Sequence, residues 1–228
     1  MKIIFLTIFP DILNSYISES IMKRAIISGI VDFEFKNIRD FSKNKHKNVD
    51  DVPYGGGVGM LMQIEPIHRC IKDTLKKSSI SSDKRRIILL SAKGSRYTQE
   101  DAYRFKDYEE LIFICGRYEG VDERVAEYIA DEELSIGDYV LTGGELPAMV
   151  IADSVVRLLP GVLGNKDSIK QESYSELNYK EYPQYTRPAE YNTWKVPEEL
   201  LSGNHKLISE WKSKNSIFTN NGNNKKEK

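Results

Sequence analysis

Five glycines follow the predicted strands of this chain, each at a point where a strand has ended. They are Gly94, Gly116, Gly120, Gly143 and Gly144. Ligands of open parallel sheets bind beyond the carboxyl ends of the strands, and glycine lets backbone N–H and C=O groups approach a flat base or a ribose closely. Ordinary strand-to-helix turns use glycine in the same way, so the glycines alone leave both interpretations open.

One basic residue interrupts the strongly apolar helix predicted at residues 145–159. This residue, Arg157, could present a fixed positive charge to a group that becomes negative during a reaction. Asp153 lies four residues earlier, and a pair at this spacing usually forms an ion pair on the helix surface. The spacing therefore favours a structural role for Arg157 unless other evidence points to catalysis.

The common nucleotide and metal signatures do not occur. The run GVGMLM at residues 57–62 lacks the third glycine of a dinucleotide-binding turn and follows no predicted strand. The phosphate-binding pattern GxxxxGK[ST] is missing, and His46, His68 and His205 are too scattered to indicate a metal site. We therefore predict no dedicated metal ligands, and a dehydrogenase, a phosphate-loop kinase and a metallohydrolase are disfavoured.

The charge balance gives no global attraction to nucleic acid, because 33 Lys and Arg face 34 Asp and Glu. Contact with RNA would depend on local patches, each of which could equally be a solvated loop. Cys70 and Cys115 show no spacing typical of disulfides or zinc, which fits a reducing cytoplasm. The basic patches are Lys43, Lys45, His46 and Lys47; Lys84, Arg85 and Arg86; and Lys225, Lys226 and Lys228.

Strands and helices alternate along the first part of the chain. We predict strands at residues 2–9, 31–38, 86–90, 111–115 and 139–141, and helices at residues 11–30, 65–77, 122–130 and 145–159. A further helix begins where Thr98 and Asp101 form a capping box. This order predicts an α/β fold with a mostly parallel sheet and helices on both faces. No apolar run is long enough to span a membrane.

The composition changes after residue 164. Residues 1–164 are predicted to form the α/β domain and residues 165–185, which lack periodicity, a linker. Residues 186–219 are predicted to form a small helical domain in which Gly203 separates two short helices. Residues 220–228 are too polar to bury and predict a disordered tail.

Three long runs are far more specific than the single glycines. Residues 49–62 read VDDVPYGGGVGMLM, residues 114–125 read ICGRYEGVDERV, and residues 135–148 read SIGDYVLTGGELPA. Two shorter runs follow, YTRP at residues 185–188 and LSGNH at residues 201–205. Together they resemble the bacterial tRNA (guanine-N1)-methyltransferase family, TrmD, over nearly the whole chain.

The resemblance implies a fold, a methyl donor and partners. The fold is of the SPOUT type, in which the chain forms a deep trefoil knot around S-adenosylmethionine. The family binds tRNA, with residues 186–219 as its tRNA-binding domain, and acts as a homodimer whose site is shared between subunits; a divalent cation, Mg²⁺, is also implied. The implied donor-binding residues are Leu90, Ser91, Gly116, Tyr118, Glu119, Gly120, Ile136, Gly137, Asp138, Tyr139, Val140, Leu141, Gly143, Gly144 and Pro147.

The implied reaction places a methyl group on N1 of the guanosine immediately 3′ of the anticodon, at position 37 of tRNA. Guanine N1 carries a proton, so a base must remove that proton while negative charge builds on O6. Arg157 matches the family's catalytic arginine. Glu172 occupies the position where the family has its catalytic aspartate, and its side chain is longer by one bond, roughly 1.5 Å.

Two alternatives remain open at this point. The exchange of aspartate for Glu172 could leave an RNA-binding or regulatory relative that retains the donor pocket but not the chemistry. A related knotted enzyme could instead methylate ribosomal RNA, although the runs at residues 185–188 and 201–205 favour tRNA. The identity of the modified tRNA species is not encoded in any recognisable motif.

Overall fold

A computed structural model describes residues 1–164, 172–176 and 178–218 of the chain. The chain divides into two compact units, Met1–Gly164 and Asn165–Lys228. The disordered tail predicted at residues 220–228 and the basic patch within it lie outside the described residues, as does the start of the predicted linker. In the described part of the chain, no helix has the length and apolarity needed to cross a bilayer.

A five-stranded parallel sheet forms the centre of the first unit. Its strands are β1 (Lys2–Thr7), β2 (Asp32–Asn37), β5 (Arg85–Arg96), β6 (Glu110–Cys115) and β7 (Glu132–Ser135), in the order β2-β1-β6-β5-β7. Two short strands, β3 (Asp50–Asp51) and β4 (Leu61–Met62), pair antiparallel beside the sheet. The predicted parallel α/β fold and its first four strands are confirmed, but the strand predicted at residues 139–141 is wrong. Those residues form no regular secondary structure, and the fifth strand is β7.

The ladder between β5 and β7 is interrupted. Leu90 and Ser95 both align with Leu134, so residues 91–94 leave the ladder and return to it. Where the segment rejoins the ladder, a Cβ on Gly94 would lie only 2.6 Å from the backbone carbonyl carbon of Glu133. Glycine, which has no Cβ, avoids this clash. The predicted strand at residues 86–90 therefore extends to Arg96, with an irregular segment in its second half.

Helices cover the sheet. They are α1 (Asn14–Ile17), α2 (Ser20–Ile27), α3 (Ile64–Lys77), α4 (Gln99–Phe105), α5 (Arg124–Tyr128) and α6 (Glu145–Val156), with 3-10 turns at Pro10–Leu13, Ile38–Phe41 and Ser82–Lys84. The single helix predicted at residues 11–30 is divided because Ser20 has a φ of 51°, which an α-helix cannot contain. The capping box of Thr98 and Asp101 is present at the start of α4.

The core lies on both faces of the sheet because strand side chains alternate between the faces. On one face, Ile4 and Ile112 pack in a cluster with Ile67 and Cys70 of α3. On the other, the Phe5 ring stacks on that of Phe35 at a centroid distance of 5.3 Å and packs tilted against that of Phe113 at 5.5 Å. Each large apolar side chain buried in this way stabilises the fold by about 1.5–3 kcal/mol.

Within its described residues, the second unit contains two helices and two short ladders. Strand β8 (Tyr179–Lys180) pairs with β11 (Ile217–Phe218), and β9 (Glu190–Tyr191) pairs with β10 (Trp194–Lys195). Helix α7 (Glu198–Leu201) ends before Gly203, and α8 (His205–Asn215) begins after Asn204, whose side chain accepts hydrogen bonds from the next turn. The predicted pair of short helices is confirmed, and the ladders are an addition that the sequence pattern did not predict.

Candidate active site

A cavity of about 570 Å³ opens at the carboxyl edge of the sheet, where the loops after β6 and β7 meet the irregular segment of β5. Gly137 and Asp138 lie outside its lining; the Asp138 carboxylate is exposed and pairs with Arg96 at 3.8 Å. The cavity is also lined by residues that the family resemblance did not imply, among them Leu61, Lys93, Arg117, Glu123 and Glu133. The predicted donor-binding residues that line it are Leu90, Ser91, Gly116, Tyr118, Glu119, Gly120, Ile136, Tyr139, Val140, Leu141, Gly143, Gly144 and Pro147.

The loops after β6 and β7 are held against each other through their backbones. The Gly144 amide donates a hydrogen bond to the Gly116 carbonyl at 2.8 Å. Between β7 and α6, the Ser135 hydroxyl donates to the Gly137 carbonyl at 2.9 Å, and the Tyr139 amide donates to the same carbonyl. These bonds fix the backbone that surrounds the cavity without using large side chains, so polar main-chain groups remain close to any bound ligand.

The glycine-rich segment at residues 49–62 is anchored to the cavity. The Met62 amide donates to the Gly120 carbonyl at 2.9 Å, and the Asp122 amide donates to the Met62 carbonyl at 3.0 Å. The Glu119 amide donates to the Met60 carbonyl at 3.0 Å. Movement of this segment would therefore be transmitted directly to the cavity wall.

More acidic than basic side chains line the cavity. Lys93 forms an ion pair with Glu123 and lies 3.9 Å from Glu133, and the hydrogen bond from Lys93 to Glu123 is the main reason that the lysine pKa is raised. One buried oxygen of Glu133 lacks a hydrogen-bond partner among the described residues. The hydrogen bond from Arg124 lowers the pKa of Asp122. Since Asp122 and Glu123 already have basic partners, the Glu133 carboxylate is the group here that favours a ligand with positive charge.

The buried carboxylate of Glu145 contacts Arg117, a residue of the cavity lining. Glu145, at the start of α6, is 1% exposed; one oxygen accepts a hydrogen bond from the Thr7 hydroxyl at 2.6 Å and the other from Nε of Arg117 at 2.9 Å. The Arg117 guanidinium also lies 4.8 Å from the centroid of the Phe9 ring. This contact could not be predicted from the sequence, because local spacing does not pair residues so far apart in the chain.

Of the two predicted catalytic residues, Arg157 lies in the first unit and Glu172 in the second. Arg157 is the half-buried C-cap of α6, and its amide donates to the Asp153 carbonyl at 3.1 Å. The Asp153 carboxylate accepts a hydrogen bond from the Tyr16 hydroxyl, and this bond is the main reason that the Tyr16 pKa is raised to about 12. Arg157 is not among the residues that line the cavity. Glu172 is half-buried in a turn in which its carbonyl accepts from the Ser175 amide.

A parallel α/β sheet with a cleft lined by glycine loops at its carboxyl edge defines a class of enzymes that bind nucleotides or nucleosides. The family model described as "tRNA (Guanine-1)-methyltransferase TrmD" matches residues 1–226. The chain belongs to this family, and the resemblance found in the sequence is confirmed.

Individual relatives agree with the family model. A tRNA (guanine-N(1)-)-methyltransferase of Clostridioides difficile (strain 630) is 50% identical over 217 residues, covering 95% of this chain and 93% of that protein. The corresponding protein of Bacillus subtilis (strain 168) is 51% identical, covering 95% of this chain and 88% of the relative. The crystal structure of tRNA (m1G37) methyltransferase from Aquifex aeolicus is similar with a TM-score of 0.77 and 40% identity, covering 93% of this chain and 87% of that one.

Proposed function

We propose that this protein transfers the methyl group of S-adenosylmethionine to N1 of guanosine 37 in tRNA. The observation that carries the proposal is the cavity of about 570 Å³, which is lined mainly by the runs at residues 114–125 and 135–148 of a chain that belongs to the TrmD family. Its volume lies within the usual range of about 300–1,000 Å³ for small-molecule sites. The tRNA substrate and the reaction are those named for the relatives in Clostridioides difficile and Bacillus subtilis.

The residues of the cavity suit this donor. Leu90, Leu134 and Ile136 offer apolar surface for a flat base, and the close approach of Gly144 to the backbone beyond β6 leaves main-chain groups accessible. The donor carries a positively charged sulfonium, which the carboxylates of Glu119 and Glu133 would favour. When bound, the donor supplies an electrophilic methyl group; the protein orients it and excludes water.

Arg157 and Glu172 are assigned to the methyl acceptor. Glu172 accepts the N1 proton of guanine, which makes the nitrogen a competent nucleophile. Arg157 stabilises the negative charge that builds on O6. The match of both positions to the family's catalytic pair supports these roles, and the carboxylate of Glu172 retains the required chemistry despite its longer side chain.

No step of this mechanism is routed through Mg²⁺. Mg²⁺ prefers six oxygen ligands and usually keeps several waters, so it needs few protein groups. Within residues 1–164, 172–176 and 178–218, no three or more His, Cys, Asp or Glu side chains converge in a way that could hold a metal ion. The described residues therefore do not form a dedicated cage for the cation that the resemblance implies.

The tRNA partner would be bound in part by the second unit. Trp194 and Tyr191 are 70% and 62% exposed on the β9–β10 ladder, and aromatic rings of this kind stack on unpaired bases. Lys212 lies 4.7 Å from the centroid of the Tyr182 ring and adds positive charge on α8. These features support the assignment of residues 186–219 to tRNA binding, and a tRNA substrate in turn supports a cytoplasmic location.

A homodimer and a knotted topology complete the proposal. Leu146 and Val150 of α6 are 59% and 49% exposed, and Ile12 and Tyr16 are also exposed; a second copy of the chain would bury such apolar surface. The TrmD resemblance implies a trefoil knot around the donor, and membership of that family supports the same topology here.

Mapping the modified nucleotide tests the proposed function. The full chain is incubated with S-adenosylmethionine and either unmodified tRNA containing G37, the same tRNA with adenosine at that position, or ribosomal RNA. We expect 1-methylguanosine at position 37 of the first substrate and no methylation of the other two. Donor binding without methylation of any RNA would favour the regulatory alternative, and methylation confined to ribosomal RNA would overturn the substrate assignment.

A further inference from the structure

A chain of buried polar contacts links three segments around the cavity. We call Thr7, Glu145 and Arg117 the Glu145 bracket. Both oxygens of the Glu145 carboxylate are engaged, one by the Thr7 hydroxyl at 2.6 Å and the other by Nε of Arg117 at 2.9 Å. The bracket thus joins the end of β1, the loop after β6 and the first turn of α6.

Arg117 extends the bracket to the second cavity loop. Its Nη1 donates to the Thr142 carbonyl at 3.2 Å, and its own amide lies between Gly116 and Tyr118, which line the cavity. The two loops that face the ligand therefore meet on one guanidinium. Because this group is planar and rigid, it fixes direction as well as distance.

Stability alone does not account for a bracket of this kind. An ion pair in a protein interior loses the hydration of both charges, and well-packed apolar side chains of similar volume often stabilise a fold as well or better. What the charged pair provides is a defined geometry, since each oxygen of Glu145 has one partner at one distance. The negative charge of Glu145 at the first turn of α6 also interacts favourably with the helix dipole.

We propose that the Glu145 bracket is a positioning device for methyl transfer. It holds the loops of Gly116 and Thr142 at the spacing that the donor requires. It also fixes the orientation of α6, the helix that ends at Arg157. Thr7 and Glu145 act through these loops and this helix, whereas Arg117 also lines the cavity itself. The inference rests on the proposed function of the cavity.

The first test compares Glu145→Gln, Arg117→Lys and the double variant in the full chain. Donor affinity is measured by calorimetric titration with S-adenosylmethionine, turnover at saturating donor and tRNA, and the melting temperature in parallel. We expect each single variant to weaken donor affinity at least about tenfold and to reduce turnover at saturation. The double variant should have the donor affinity and turnover of the more impaired single variant, because both changes disrupt the same contact.

Thr7 provides a matched pair in case the Glu145 variants do not fold. Thr7→Ser keeps the hydroxyl that donates a hydrogen bond to Glu145. Thr7→Val keeps the shape of the side chain but removes the hydroxyl. The bracket predicts near wild-type affinity and turnover for Thr7→Ser and reduced values for Thr7→Val. A purely structural role would lower the melting temperature of the variants and leave donor affinity and turnover unchanged below that temperature, which would overturn the inference. Failure of the unmodified protein to bind the donor would instead overturn the proposed function.

Discussion

Gly144 lies against the backbone of Cys115, at the point where the loop after β7 passes the end of β6. A Cβ on Gly144 would lie 2.8 Å from the Cα of Cys115 and 2.9 Å from the amide nitrogen of Gly116. Side chains cannot relieve a contact of this kind, because both neighbours are main-chain atoms. The spacing of the two cavity loops therefore depends on the absence of a side chain at residue 144.

Gly144→Ala should separate these loops and weaken donor binding. The added methyl group has no free volume, and overpacking of this type typically costs about 1–3 kcal/mol. We expect calorimetry to show at least tenfold weaker binding of S-adenosylmethionine and a lower melting temperature. Gly164→Ala is the matched control, because a Cβ there meets nothing within 4 Å; equal effects of the two variants would contradict the steric explanation.

Arg157→Ala should slow the chemical step more than it weakens donor binding. Removal of one group that stabilises a developing oxyanion costs about 10²–10³ in turnover. Single-turnover methylation of tRNA at saturating donor measures this effect. Arg24→Ala, which removes an exposed arginine from α2, serves as the comparison, and a wild-type rate for Arg157→Ala would remove Arg157 from the mechanism.

Glu172 is the proposed base, and it stands where the family resemblance implies an aspartate. Glu172→Gln removes the base and should slow turnover about 10²–10⁴-fold, whereas Glu172→Asp restores the family's residue and should retain activity within about tenfold. Glu176→Gln changes an exposed carboxylate in the same short segment and controls for loss of charge. If Glu172→Gln turned over at the wild-type rate, another group would have to accept the N1 proton.

The raised pKa of Tyr97 predicts that the protein loses stability in alkaline solution. Burial raises its pKa to about 12, and its hydroxyl lies 2.6 Å from Oγ of Ser154. An unfolded tyrosine has a pKa of about 10, so the un-ionised phenol contributes its full stability below pH 10, and that contribution is lost as the pH rises to about 12. Denaturant titrations should show the free energy of unfolding falling less steeply across this interval in Tyr97→Phe than in the wild type; parallel curves would contradict the assignment.

The sequence predicted those parts of the fold that local patterns determine. The apolar residues of β1 and β6 and the capping box of Thr98 and Asp101 were sufficient to locate their elements. Strand β7 was not predicted, because its two glutamates indicate a solvent-exposed segment when only the sequence is considered. In the fold, Glu132 forms ion pairs with Arg86 and Arg104, which come from distant parts of the chain.

The candidate site was predictable only in part for the same reason. The family resemblance located half of the residues that line the cavity, because the glycine runs follow the strands directly. The contact between Arg117 and Glu145 joins two separate runs and leaves no trace in the spacing within either one. The sequence also did not predict that the first helix is divided at Ser20, since a positive φ at a serine cannot be inferred from periodicity.

Equilibrium titration of the full chain with S-adenosylmethionine and with its demethylated product, S-adenosylhomocysteine, tests the central claim most directly. If the cavity at the carboxyl edge of the sheet is the donor site, both ligands should bind saturably, once per chain, and should compete with each other. Saturation by neither ligand would contradict the assignment of the cavity, and the roles proposed for Arg157, Glu172 and the Glu145 bracket would no longer hold.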